Sequence, residues 1–414
     1  DKRESRIVQF RTIDARKEWR KQAKDLGYLA SVFDDPPYWV EALPQPFYAV
    51  LSREEILKTI EPATAELTAM GLTAVEAVCN GAKSDYYFDK LKIPEEYREP
   101  IRISWARRDR SLYGRFDFSY SDGQLKLLEM NFDTAISLYE ASVFQRLWLD
   151  EHQATGVLPE QAQQFSRIHE CLLDCFTALA DSSTTVHFAS VEDSEEDEGT
   201  TRYLQSCAVL AGVESKFLHM RDIGYDDDGN LIDLEGEPIK VLFKLYPWEF
   251  LFDDDQEIAK ERGKSVLVPL VTGGGTTFIE PIWKTILANK GILPILWDLY
   301  PDSPWLLASA FENTPEAAAI KAKPHVRKPL MGREGGSISI VYPDQPAKSF
   351  VNPSRYGKEG FVLQDLHPLP KYENYHVLIG SWVIAGQPAG IGIRADLSPI
   401  TTGMHCLFVP HIVE

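Results

Sequence analysis

Apolar residues recur at helical spacing through much of the first hundred positions. The clearest stretches are ARKEWRKQAKDLGY, which begins at residue 15, and REEILKTIEPATAELTAMGLTAVEAVC, which begins at residue 53. A period near 3.6 residues is typical of an amphipathic helix with one face on a core. The pattern therefore predicts a helical N-terminal region over residues 1–110, packed on the rest of the chain.

The spacing changes to a period of two between residues 112 and 131. In RFDFSYSDGQLKLLEMNFD, which begins at Arg115, polar and apolar residues alternate on both sides of Asp122-Gly123. Such a dipeptide between alternating runs is a strong hairpin signal. A long helical stretch follows from residue 136, so we predict a hairpin and a helix over residues 111–155.

A strand, helix and strand series comes next, in TTVHFAS (184–190), TRYLQSCAVLAG (201–212) and ESKFLHM (214–220). This order is typical of a parallel βαβ layer, which predicts a small α/β subdomain over residues 156–240. The acidic segment VEDSEEDEGT (191–200) between the first strand and the helix is predicted to be a solvated loop. After residue 320 the sequence shows one strand pattern after another, so we predict a β-rich region over residues 241–414.

Composition and charge narrow the possible functions. The chain has 414 residues, too many for one core, and carries 62 acidic against 43 basic residues, a net charge of -19 that argues against nucleic acid as a partner. The five cysteines show no metal-binding spacing, and no apolar run reaches the ~18 residues that cross a bilayer. With no signal-peptide pattern at DKRESRIVQF, we predict a cytoplasmic protein without a membrane partner.

The predicted hairpin carries the first candidate chemistry. Alternation places Arg115 and Asp117 on one face of the first strand, and Glu129 and Asn131 on one face of the second. A three-residue turn brings the three oxygen-bearing side chains together, in a set that suits magnesium. A two-residue turn at Asp122-Gly123 separates Asp117 from Glu129 instead. The sequence leaves both turns open, as well as an edge strand with solvated charges.

A glycine-rich segment supplies a second candidate. RKPLMGREGGSISI (327–340) reads as a strand, a turn and a strand, with Lys328 on the first strand and free backbone amides at Gly332, Gly335 and Gly336. Such a loop can fold over phosphates. Lys290 follows the helical stretch IWKTILANK and is by itself only a cation at a helix C-terminus.

Several blocks together resemble the glutathionylspermidine synthase family of ATP-grasp ligases, in particular stand-alone relatives without the amidase half. The resemblance runs from about Trp105 to the C-terminus, in the blocks YGRFDF, LLEMNFDTAISLYEASVFQ, EDEGT, LFKLYPWEF, NKGILPILW, RKPLMGREG and GSWVIAGQPAGIGIRAD. It implies a role for each matching residue. Magnesium, expected as two ions, is held by Asp117, Glu129 and Asn131. By the same resemblance, Arg115 and Arg394 are expected to contact the transferred phosphate and the reacting carboxylate. The residues expected to bind ATP are Lys290, Lys328, the loop glycines Gly332 and Gly335, and Gln364, which is expected beside the adenine. The substrates lie near Ser137, Glu196, Asp197 and Arg333.

The resemblance also implies a fold and a reaction. The metal ligands precede the ATP lysines along the chain, as in a circularly permuted ATP-grasp fold of mixed α/β class with a small pre-ATP-grasp-like subdomain, so the site is assembled from both halves. The expected activity joins a small-molecule carboxylate or peptide, such as glutathione, to an amine through an acylphosphate. The acidic residues 195–198 are a candidate attraction for a cationic amine such as a polyamine. We expect no amidase module in this chain and therefore no hydrolysis of the product.

Two other functions are open. One is an ATP-binding regulator or scaffold that has kept the fold without ligation, which would not need the complete set of phosphate-transfer residues. The other is a kinase-like phosphotransferase without an amine step, which shares all of them. The identity of the acid and the amine, the base that deprotonates the amine, and the oligomeric state are left open by the sequence.

Overall fold

The structure, a computed structural model, describes residues 8–28, 38–180, 184–403 and 406–414. A six-stranded antiparallel sheet joins the two halves of the chain. Its main path runs, in spatial order, through Leu407–Val409, Gln387–Asp396, Tyr375–Ile384, Tyr113–Ser121 and Gln124–Asn131, with Lys371–Tyr372 paired to the third of these. The predicted hairpin of the first half is therefore hydrogen-bonded to a hairpin from the last fifty residues. A five-stranded antiparallel sheet has the order Ser309–Phe311, Phe361–Asp365, His325–Pro329, Ser339–Val341 and Phe350–Val351.

The predicted α/β subdomain is a four-stranded parallel sheet. Its spatial order is Thr277–Ile279, Val241–Leu245, Val186–Ser190 and Ser215–His219. The strand, helix and strand series is thus present, but the predicted boundary at residue 240 is wrong because two strands of this sheet come after it. Local patterns do not show which strands pair, because strands that pair in parallel are commonly far apart in sequence.

Six of the ten residues of the acidic segment are helical rather than part of a loop. The helix Glu195–Leu210 begins within it, and the Ser194 hydroxyl accepts a hydrogen bond from the backbone N–H of Asp197 at 3.2 Å. Ser is a favoured N-cap, and four acidic residues in the first turn suit the positive end of the helix dipole. The run of acidic residues was predicted to form a solvated loop, but its last part stabilises the start of this helix.

The prediction of a helical N-terminal region is only partly right. Two strands, Gln9–Thr12 and Phe47–Leu51, pair with each other, and the second pairs in parallel with His411–Val413. All five residues of Phe47–Leu51 are buried, so the strand is held by a partner more than 350 positions away that a local pattern does not reveal. Among the described residues of this region, the α-helices are Trp19–Asp25, Arg53–Glu55, Glu61–Asn80, Ser84–Leu91 and Glu95–Ala106.

The remaining α-helices connect the sheets. They are Gln145–Ala154, Ile168–Ala180, Trp248–Arg262, Leu267–Gly273, Thr285–Ala288, Ile292–Leu299 and Ala317–Lys321, and a small two-stranded ribbon pairs Gly224–Tyr225 with Leu231–Ile232. Throughout the described part of the chain, no helix combines the length and the apolar character needed to cross a membrane.

Candidate active site

The hairpin turn has two residues, but the predicted separation of Asp117 from Glu129 does not occur. Asp122 and Gly123 both have positive φ, 52° and 72°, as a tight two-residue turn requires. The strands pair in regular register from Ser121↔Gln124 to Phe118↔Leu127, and the next pair is Asp117↔Glu129. Leu128 is thus an extra residue, a β-bulge, that returns Glu129 to the position opposite Asp117.

Asp117 is the centre of a buried ion-pair network. Its carboxylate accepts hydrogen bonds from Arg115 Nε at 2.6 Å, from Arg394 Nη2 at 2.7 Å and from Asn131 Nδ2 at 3.1 Å. Burial alone raises the pKa of Asp117, but the two guanidinium groups outweigh it and hold the pKa below its usual value. Arg115 and Asp117 are 4% and 6% exposed, so the alternative of solvated edge charges is wrong.

The predicted ATP lysines connect the hairpin to the five-stranded sheet. Lys290 Nζ lies 2.9 Å from Glu129 Oε1 and donates to the Gly332 carbonyl at 3.0 Å. Lys328 Nζ donates to Gln364 Oε1 at 2.7 Å and to the carbonyl of the bulge residue Leu128 at 2.5 Å. Burial lowers the pKa of Lys328 to about 8. The bulge residue Leu128, which places Glu129 opposite Asp117, therefore also accepts a hydrogen bond from Lys328 of the five-stranded sheet.

A cavity of about 630 Å³ lies at this junction. The predicted site residues that line it are Arg115, Asp117, Glu129, Asn131, Glu196, Asp197, Lys328, Gly332, Arg333, Gly335, Gln364 and Arg394. All the predicted residues lie in described parts of the chain, and two of them do not line the cavity. Lys290 forms an ion pair with Glu129, which lines the cavity. The buried Ser137 hydroxyl shares a hydrogen bond with the hydroxyl of Tyr38, and Tyr38 also lines the cavity.

The glycine-rich turn reaches across the cavity. Gly335 has φ 66°, and a Cβ there would lie 2.7 Å from the Thr401 carbonyl, so this close approach requires glycine. Arg333 Nη2 donates to Thr134 Oγ1 at 3.0 Å, and its guanidinium lies 5.0 Å from the centre of the Phe250 ring. The loop is thereby attached to the segment that follows the hairpin and to the start of the helix Trp248–Arg262.

One end of the cavity is acidic. Glu196 and Asp197 enter it from the first turn of their helix. Burial raises the pKa of Asp197 to about 6, although Arg333 acts in the opposite direction. Asp133 and Glu249 also line this cavity, and neither was selected from the sequence. Both lie within the blocks that carry the family resemblance, but a single acidic residue beside aromatic ones gives no local signal of function.

The oxygen donors fit magnesium in kind. Two carboxylates and an amide, from Asp117, Glu129 and Asn131, line one cavity from cross-strand neighbouring positions. In the described ranges no group of three or more His, Cys, Asp or Glu side chains is arranged to hold a metal, so the amide of Asn131 is essential to this candidate set. A cation there competes with Arg115, Arg394 and Lys290, which now neutralise the two carboxylates.

The known proteins that this chain resembles are named as ligases and synthetases. A family model described as glutathionylspermidine synthase preATP-grasp matches residues 10–414. A Haemophilus influenzae protein with the provisional name acid–amine ligase is 36% identical over 361 residues, which are 85% of this chain and 86% of the relative. Trypanothione synthetase of Crithidia fasciculata is 31% identical over 343 residues. The bifunctional glutathionylspermidine synthetase/amidase of Escherichia coli is 26% identical over 378 residues.

The coverage of these relatives differs. The matched residues are 79% of this chain but 51% of the trypanothione synthetase, and 86% of this chain but 57% of the bifunctional enzyme. Among solved structures, a glutathione synthetase-like effector from Globodera pallida superimposes with a TM-score of 0.55 at 11% identity and covers 96% of both chains, a likeness of fold alone. Since the family model spans nearly the whole sequence and its relatives are named as ligases and synthetases, the chain belongs to the glutathionylspermidine synthase family of ATP-dependent carbon–nitrogen ligases.

Proposed function

We propose that this protein uses ATP and magnesium to join the carboxylate of a small molecule or peptide to an amine, through an acylphosphate. The observation that carries the proposal is the meeting of Arg115, Asp117 and Arg394 in one buried network, beside Lys328 in the same cavity. Transfer of a phosphoryl group requires positioned positive charge around an acceptor oxygen. A protein that only binds ATP does not need this arginine pair.

In the first step a carboxylate oxygen of the acid attacks the γ-phosphorus of ATP and ADP leaves. Arg115 and Arg394 orient that carboxylate, because planar guanidinium groups pair with carboxylates and phosphates. Lys328, and Lys290 behind Glu129, supply positive charge for the phosphates. Asp117, Glu129 and Asn131 would hold magnesium, which neutralises phosphate charge when bound.

The nucleotide is proposed to lie between the two sheets. Val326 and Ile340 of the five-stranded sheet and Leu378 of the six-stranded sheet line the cavity with apolar surface, and Gln364 adds an amide. An adenine ring suits a narrow apolar space with a few polar groups at its edge. The metal residues precede both lysines in the chain, which supports a circularly permuted ATP-grasp arrangement as part of this proposal.

In the second step an amine attacks the acyl carbon and phosphate leaves. The acidic end of the cavity, with Glu196 and Asp197, favours an amine that arrives as a cation. The names of the relatives suggest glutathione or another peptide as the acid and a polyamine such as spermidine as the amine. These substrates are part of the proposal, since a shared fold does not transmit specificity.

The test is ADP release from ATP and magnesium with acids crossed against amines, and mass analysis of the products. The acids are glutathione, γ-glutamyl peptides and free amino acids, and the amines include spermidine. Turnover that needs both partners and yields an amide supports the ligase. A stable phosphorylated acid formed without an amine indicates a kinase, and tight ATP binding without turnover indicates a regulator.

A further inference from the structure

Amide formation requires a base, because an amine that arrives as an ammonium ion has no lone pair with which to attack. Seven carboxylates line the cavity, and three of them are already engaged. Asp117 is held by two arginines and Glu129 by Lys290. Asp133 accepts from Lys244 Nζ at 3.0 Å through one oxygen and from the Trp248 backbone N–H at 2.9 Å through the other. Each of these three carboxylates is therefore already paired with a cationic side chain.

Glu249 is different. It lines the cavity from the first turn of the helix Trp248–Arg262 and is half-buried. Among the residues that the structure describes, no side chain donates a hydrogen bond to its carboxylate, and neither Arg333 nor Lys244, the cations that act on it, forms an ion pair with it. Burial raises the pKa of its carboxyl, which Arg333 opposes and Asp133 reinforces. A carboxylate with a raised pKa is a stronger base.

The backbone that carries Glu249 is held firmly. Lys244 is fully buried, lies 4.3 Å from the centre of the Trp248 ring and bridges Asp133 to the Tyr246 carbonyl. The Trp248 indole N–H donates to the Glu280 carbonyl at 3.1 Å. On the other side of Glu249, the Phe250 ring lies beneath Arg333. Both chain neighbours of Glu249 are therefore fixed while its own carboxylate is left to the cavity, as expected of a group that meets a substrate.

We infer that Glu249 is the catalytic residue that receives the ammonium group of the amine substrate and removes its proton. This inference rests on the proposed function. One proton passes from the ammonium nitrogen to a Glu249 oxygen, and the freed lone pair forms the carbon–nitrogen bond with the acyl carbon. The bond from that carbon to the phosphate oxygen then breaks, its electron pair leaves with the phosphate, and the phosphate takes the second proton of the nitrogen.

The test compares two nucleophiles on the full-length protein with ATP, magnesium and glutathione. Hydroxylamine is neutral near pH 7 and traps an acylphosphate as a hydroxamate without a base, whereas spermidine is cationic. In Glu249→Gln we expect hydroxamate formation within about 3-fold of the unchanged protein, and a loss of at least about 100-fold in kcat/KM with spermidine, the usual scale of general-base catalysis. Glu249→Asp is expected to recover part of that loss.

The matched control is Glu257→Gln on the same helix, where an exposed carboxylate pairs with Lys260. It is expected to leave both rates unchanged. A Glu249→Gln variant that keeps its spermidine rate, or that loses both rates although its circular dichroism and melting temperature are unchanged, overturns the role of Glu249. If the unchanged protein forms neither hydroxamate nor amide with any acid of the panel, the proposed function itself fails, a result separate from these two.

Discussion

At the residue scale, Asp117 is where the two halves of the chain meet. It receives Arg115 from its own strand and Arg394 from a strand 277 positions later. Three charges that are buried together are stable only as a set, because removing one partner leaves the others uncompensated in a medium of low polarity. The same compensation holds the guanidinium groups at fixed positions on the cavity wall.

This arrangement predicts the effect of Asp117→Asn. The variant keeps the shape of the side chain but leaves two buried guanidinium groups facing each other without their shared anion. We expect acid-dependent ADP release to fall at least about 100-fold, since small displacements of positioning groups cost rate on that scale. A lower melting temperature should accompany the loss.

The control for Asp117→Asn lies on the same hairpin. Asp122→Asn makes the same chemical change at an exposed turn position with φ 52°, where asparagine is well accepted. It should retain full activity and stability. Full activity in Asp117→Asn, or an equal loss in both variants, would contradict the assigned role.

A buried histidine predicts how stability depends on pH. His411 is completely buried, with Nδ1 2.8 Å from Gln145 Oε1 and Nε2 accepting from the Phe165 backbone N–H at 3.0 Å. Burial lowers its pKa to about 3 from the usual value of about 6.5. The unfolded chain therefore takes up this proton first as the pH falls. The contribution of His411 to stability is complete above about pH 6.5 and is lost progressively toward pH 3.

The measurement is urea unfolding at several pH values between about 7.5 and 4.5, for the unchanged protein and for His411→Gln. The histidine should lower the free energy of unfolding by up to about 1.4 kcal/mol per pH unit below about pH 6.5. The variant should be less stable at the upper end and lose less on acidification. Parallel curves for the two proteins would refute this origin of the pH dependence.

At the element scale, one buried ion pair connects the hairpin to the parallel sheet. Lys284 and Glu280 are both fully buried and 2.5 Å apart, just beyond the strand Thr277–Ile279. Lys284 also donates to the Tyr113 carbonyl at 2.6 Å, and the Tyr113 backbone N–H donates to Glu280 at 2.8 Å. The first residue of the strand that carries Arg115 and Asp117 is thereby fixed by charges from another sheet.

Breaking this pair should cost more than removing it. Lys284→Met leaves Glu280 buried without its cation, and we expect the free energy of unfolding to fall by about 3–5 kcal/mol. Adding Glu280→Gln, which keeps an acceptor for the backbone N–H groups, should recover part of the loss. Urea denaturation of both single variants and the double variant measures the coupling.

The exposed Lys260–Glu257 pair supplies the comparison for this cycle. Its Lys260→Met variant should change the free energy of unfolding only slightly, as surface ion pairs contribute little. A double variant that is less stable than Lys284→Met alone would show that the pair does not act as a unit.

At the scale of the whole molecule, the cavity lies between the six-stranded and five-stranded sheets. The Gln364 amide donates to the Leu127 carbonyl at 3.0 Å, and Lys328 reaches Leu128, so the two sheets already touch beside the cavity. A nucleotide bound there contacts both sheets at once. Ligand that binds only the folded protein also raises its apparent stability by mass action.

Hydrogen–deuterium exchange with and without ATP and magnesium tests this placement. We expect slower exchange in residues 113–131 and in residues 325–365 together, with a rise in melting temperature. AMP without magnesium should give weaker protection of the hairpin, because the phosphates are expected at its charged residues. Protection confined to one of the two segments would place the nucleotide elsewhere.

Some features of this protein were determined by the sequence itself. Alternation around Asp122-Gly123 is a local property, and it predicted the hairpin and the common face of Arg115 and Asp117 correctly. The residues of the quoted blocks were sufficient to indicate the family, and that resemblance is confirmed. Periodicity and composition report on neighbours within a few residues, so they determine elements and their polar faces.

Other features were decided only by the tertiary structure. The two-residue turn alone separates Asp117 from Glu129, and the bulge at Leu128 reverses that outcome. The strand Phe47–Leu51, the parallel sheet that crosses residue 240, and the approach of Arg394 to Asp117 all depend on partners far along the chain. Register and pairing are properties of two segments at once, because a shift of one residue turns every side chain to the other face. Glu249 emerged as a candidate base for the same reason: its neighbours in space, rather than in sequence, leave its carboxylate facing the cavity.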